Sequence, residues 1–98
     1  MIGQKVLIRS YASGVHFGTL EKEDFTLSGK VVLLSNSRRI HYWEGAASLS
    51  QVATDGIQKG RVAVSLPLIE VVNVIETIPL SESAINNLEN QPIWKWKI

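Results

Sequence analysis

A chain of 98 residues forms one domain, and at this length roughly two thirds of the unfolded surface is buried, so the core is thin. Ten Lys and Arg against nine Asp and Glu leave a net charge of +1, which excludes the broad positive field on which duplex nucleic acid binding is built; zero cysteines exclude disulfides, thiolate metal sites and a thiol nucleophile. An apolar share of 45 % with 19 % charged residues is that of a folded globular protein, and the absence of a secretion signal or an apolar run of membrane-spanning length predicts a cytoplasmic one.

KVLIR (5–9) is an apolar run closed by the turn-prone YASG (11–14), and with VHFGTLE (15–21) it predicts a β-hairpin. Gly18 inside the second run has no side chain to pack and predicts a bulge or a close backbone approach. FTLSGK (25–30) supplies a turn, VVLLS (31–35) reads as a strand covered on both faces, and RRIHYW (38–43) as a fourth strand. Strict alternation there sends Arg38, Ile40 and Tyr42 one way and Arg39, His41 and Trp43 the other, so the two arginines cannot share a face.

SLSQVATDG (48–56) carries helix grammar: Ser48 as N-cap, Gln51 as its capping-box partner, apolar Leu49, Val52 and Ala53, and Gly56 as a stop. RVAVSL (61–66) alternates, and IEVVNVIETI (69–78) is the longest β-branched run, so two further strands follow. Pro79 ends the sheet and Ser81 caps a second short helix, SESAINNLE, with Leu80 and Ile85 at the two positions of a hydrophobic staple and Glu82 at its positive end. With only Ile85 and Leu88 as large apolar residues, this helix is expected on the surface. The tail QPIWKWKI (91–98) alternates, so an extended conformation puts Trp94 and Trp96 on one side, each with on the order of 200 Å² that needs a partner surface. The fold class is α+β: a mainly antiparallel sheet of about six strands with two short α-helices, in a single domain over residues 1–98.

His16 and His41 are the only histidines, and without cysteine a tetrahedral zinc site would need scattered carboxylates, so no metal and no cofactor are expected. No GxSxG elbow accompanies the serines, no glycine-rich phosphate loop is present, and Glu21, Glu23 and Asp24 read as a solvated turn; no catalytic residue is assigned.

The positive signal is NSRRIHYWEGAASLSQVATDG (36–56). A helix start presents unpaired N–H groups and the positive end of a dipole to an anion, here around Ala47, Ser48 and Leu49. Arg38 or Arg39 could add a bidentate contact to a phosphate, and Phe17, Tyr42 or Trp43 could stack a flat base. Each part also has an ordinary structural use: a solvated arginine at a strand end, an aromatic in the core, a cap that only begins a helix.

GVHFGTL (14–20), SRRIHYWEGAASLSQVATDG (37–56), IEVVNVIETIP (69–79) and PIWK (92–95) together resemble the Thoeris anti-defence protein one family of small phage-encoded proteins, over nearly the whole chain. The resemblance implies a protein of the infected bacterial cytoplasm that sequesters cyclic nucleotide immune signals, such as cyclic ADP-ribose isomers or small cyclic oligonucleotides, without cleaving them. It further implies a homodimer or higher homo-oligomer, with no duplex nucleic acid or membrane as partner. Two other readings stay open: a small phage structural or interaction module that docks a larger partner through a strand edge and the Trp-rich tail, and a hydrolase of the same messenger.

Overall fold

The computed structural model describes residues 1–96; Lys97 and Ile98, the end of the alternating tail, lie outside the described residues. Along the chain run β1 (Lys5–Ser10), β2 (Gly14–Thr26), β3 (Gly29–Glu44), α1 (Leu49–Asp55), β4 (Lys59–Val62), β5 (Leu66–Pro79) and α2 (Glu82–Glu89). The class is α+β with an antiparallel sheet, and the described residues form five strands where about six were expected. The difference lies in β3: the runs 31–35 and 38–43 form one bent strand, because Asn36 takes a left-handed conformation (φ 48°) that lets the chain turn without leaving the ladder.

β2 pairs with both β1 and β3, β1 pairs with β5, and β5 pairs with β3. Four strands therefore close on themselves, and β4 joins the second half of β3. Closure makes two apolar layers. Val6, Ile8, Leu20, Val32, Leu34, Val71 and Val74 fill the inside. Leu7, Val15, Phe17, Ile40 and Val62 point outward on one side and meet Val52 and Ala53 of α1, Ile57, and Leu88 of α2. Burial of such a side chain contributes about 1.5–3 kcal/mol. Val6, Leu7 and Ile8 are all fully buried although they alternate, so β1 is the strand covered on both faces. Val31 and Leu33 of β3 remain half-exposed, against the expectation for VVLLS.

Gly18 lies at a register shift between β2 and β3, and a Cβ there would sit 2.9 Å from the Ser35 carbonyl oxygen and 3.0 Å from Ser37 Cα, which is the close approach its position predicts. α2 lies on the surface as expected, with Glu82, Ser83, Asn86 and Glu89 exposed, and it buries Ala84 and Leu88 completely against the core. The Asn87 side chain accepts from Ile57 N–H and donates to Ile57 O, both at 2.8 Å, which fastens α2 to the turn after α1. Among the described residues no helix is long and apolar enough to cross a membrane.

Candidate functional site

β3 reaches the site through an irregularity that alternation alone does not foresee. Ile40 pairs with Val62 but Tyr42 pairs with Arg61, so one extra residue, His41, bulges from β3 opposite β4. Arg38 and Arg39 do face opposite sides, as expected, but beyond the bulge the sides exchange. Trp43 packs against the same core cluster that contains Ile40, and its Nε1 donates to Ala46 O at 3.2 Å.

Arg38 is 7 % exposed and is held entirely by its own chain. Its Nε donates to Ala63 O at 2.7 Å, Nη1 to Gln91 O at 3.0 Å, Leu88 O at 3.2 Å and Glu89 O at 3.4 Å, and Nη2 to Val62 O at 3.2 Å and Pro92 O at 3.4 Å. A buried guanidinium is matched here by the carbonyls at the negative end of α2, so Arg38 caps that helix and ties the tail to β4. Desolvation draws its pKa below the ordinary guanidinium value.

The proposed convergence of an arginine on the start of α1 is therefore not what the fold assembles. Ser48 Oγ accepts from Gln51 N–H at 3.2 Å, and Gln51 Oε1 accepts from Ala47 N–H at 2.7 Å, so the capping box closes on itself. Leu49 packs on the core and Phe17 is 3 % exposed within it. Of the eight expected residues, Ala47 and Ser48 are exposed at the start of α1, and Arg39 and Tyr42 each line a cleft elsewhere.

On the face opposite Arg38, the polar side chains of His16, Ser37, Arg39 and His41 meet the apolar ones of Val64 and Leu66 around an open cleft of about 210 Å³. The His41 ring contacts the Trp94 ring, centroids 5.3 Å apart at an interplanar angle of 54°. The Arg61 guanidinium lies 5.6 Å from the Trp94 centroid and 5.5 Å from that of Tyr42, so it bridges two aromatic faces. Tyr42 donates to Glu44 Oε2 at 2.9 Å, and this bond to a carboxylate raises the phenol pKa. Arg9, Lys30 and Lys59 have carboxylate partners, whereas among the described residues Arg39 and Arg61 have neither an ion pair nor a side-chain hydrogen bond. Two uncompensated guanidinium groups beside three flat rings can take an anion that also carries an aromatic or apolar surface.

Arg61 and Trp94 were legible only in part. RVAVSL alternates, which puts Arg61 outward, and the tail tryptophans ask for a surface. That the tail returns to β4 rests on one bridge, Val62 to Ile93, reinforced by Trp94 N–H to Val62 O at 2.9 Å, and on the Arg38 clamp.

His16 forms the cleft floor at 1 % exposure. Its Nε2 lies 3.1 Å from the Ser13 carbonyl, which can only accept, so this nitrogen carries the proton. Burial, then the charges of Arg39 and His41, lower its pKa to about 4 against the opposing pull of the Ser13 bond. The folded state thus favours the neutral ring. The stabilisation is complete above the unfolded pKa of about 6.5, declines as pH falls from there towards 4, and changes no further below that. The urea midpoint of the parent should accordingly fall between pH 6.5 and 5, while that of His16→Gln, which keeps a donor for Ser13, should stay nearly level. Parallel profiles for the two proteins would contradict this assignment.

A family model described as Domain of unknown function (DUF6948) matches residues 3–88. The matched span contains Arg39, His41 and Arg61 and ends before Trp94. No curated protein and no solved structure matches the chain.

Proposed function

The chain belongs to the DUF6948 family, described as a domain of unknown function, and from the face that carries Arg39 we propose that it is a non-catalytic binding protein for a nucleotide-derived anion. The observation that carries this reading is the Arg39 guanidinium, without a charged partner among the described residues, in a cleft whose lining residue His41 contacts the Trp94 ring, over which Arg61 lies. A phosphate is met by the two arginines as charge-assisted hydrogen bonds, and a base lies against the apolar cleft or the indole. Such capture requires no acid, base or nucleophile.

With the sequence resemblance to the Thoeris anti-defence protein one family, the ligand we propose is a cyclic nucleotide immune signal, held intact in the cytoplasm of an infected bacterium. A homodimer or higher homo-oligomer belongs to the same proposal, as that resemblance implies; in the single chain Trp94 and Trp96 are 50 % and 89 % exposed. The same exposure favours the second reading, an interaction module that docks a larger protein through its tail.

Calorimetry and native mass spectrometry with cyclic ADP-ribose isomers and cyclic di- and trinucleotides test the reading. At least one ligand is expected to bind and to be recovered unaltered after the protein is denatured. Arg39→Ala should weaken its Kd at least about tenfold, the weight of one charge-assisted bond, with the Tm nearly unchanged. Failure of the whole panel to bind would remove the proposal; cleavage of the recovered ligand would replace it with hydrolysis.

A further inference from the structure

Two clefts, not one, border the His41–Trp94 pair. His41 and Arg39 line the first, and Trp94, Lys95 and Trp96 line a second of about 320 Å³. The contact between His41 and Trp94 joins them into one track along the outside of β3, β4 and the tail.

The track alternates cations with rings. Arg39, Arg61 and Lys95 follow its course, and none of the three forms an ion pair among the described residues. Trp96 is 89 % exposed and Trp94 50 %, so each indole keeps surface available for stacking. The two indoles line that second cleft together with Lys95, so a base that enters it meets an indole beside the Lys95 ammonium.

We propose that this track binds single-stranded nucleic acid, two or more successive nucleotides at a time, with bases on Trp94 and Trp96 and phosphates beside Arg39, Arg61 and Lys95. The proposal rests on the reading above that this face recognises a nucleotide. Unpaired bases expose the π-faces that indoles need, whereas a duplex hides them, and stacking contributes about 1–3 kcal/mol per base with little regard to sequence. Three phosphate contacts on a single strand predict that log K falls against log salt with a slope of about −2, or roughly a twentyfold weakening from 50 to 200 mM salt.

The test uses the full chain, tryptophan fluorescence and a length series of oligothymidylate and oligouridylate from one to ten nucleotides, beside the cyclic nucleotide panel. Affinity should rise over the first two to four nucleotides and then level per site. Trp96→Ala should abolish most of that gain, fivefold or more, while capture of any small cyclic ligand and the Tm stay as in the parent. If oligonucleotides bind no tighter than a mononucleotide while a cyclic ligand is captured, the single-strand proposal fails and the first reading stands. If neither class binds, both fail; a length-dependent gain without salt dependence, or one that Trp96→Ala preserves, also overturns it.

Discussion

Arg38→Ala is expected to lower the thermal midpoint by about 12–24 °C, the largest effect of any single arginine in the chain. The substitution strips partners from carbonyls of Val62, Ala63, Leu88, Glu89, Gln91 and Pro92, several of them buried. Leaving a buried polar group unsatisfied costs about 1–3 kcal/mol, and losing several charge-assisted bonds at once makes about 3 kcal/mol a conservative total. For a domain of this length each kcal/mol moves the midpoint by roughly 4–8 °C. Arg38→Lys should recover only part of the loss, since an ammonium cannot reach β4, the end of α2 and the tail together. Arg39→Ala, on the opposite face and half-exposed, should stay within about 0.5 kcal/mol of the parent. Comparable midpoints for the two alanine variants would refute the division of labour between the adjacent arginines.

Gly60→Ala should be nearly as damaging, for a steric reason. Gly60 pairs with Trp43 in the β3–β4 ladder, and an added Cβ would fall 2.3 Å from Tyr42 O, 3.0 Å from Ile57 Cδ1 and 3.2 Å from Trp43 Cα. A backbone oxygen cannot swing aside as a side-chain tip can, so β4 must withdraw from β3. Overpacking of this kind costs about 1–3 kcal/mol. Because Arg61 follows directly, the same withdrawal removes the guanidinium from Tyr42 and Trp94, so tryptophan emission and near-ultraviolet dichroism should change together with a fall in the urea midpoint. A variant with the parent's midpoint and spectra would show that the strand pairing tolerates the methyl group.

These two positions mark the boundary of what could be read in advance. The caps were legible because they are short-range: Ser48 Oγ accepts from Gln51 N–H, and Ser81 Oγ from Ala84 N–H, each three residues on. Gly18 was legible as a position where backbones approach, and the opposite facing of Arg38 and Arg39 follows from the pleat. The missing sixth strand was not, because SNS at 35–37 looks like a breaker until Asn36 is seen to bend a continuous β3. Nor was the bulge at His41, which returns Trp43 to the core and leaves His41 outside against Trp94.

Which of Arg38 and Arg39 is sequestered and which stays open lay wholly beyond local reasoning. Patterns of hydrophobicity, caps and turn residues within a few positions determined the class, the two helices, most of the strands and a domain without thiols or a strong net charge. Closure of β2 on both β1 and β3, the seating of α2 and the return of the tail to β4 decided everything about the site. The physical reason is range: Arg38 finds its acceptors 24 to 54 residues away, so which guanidinium is sequestered and which remains open depends on surfaces that meet only when the chain is folded.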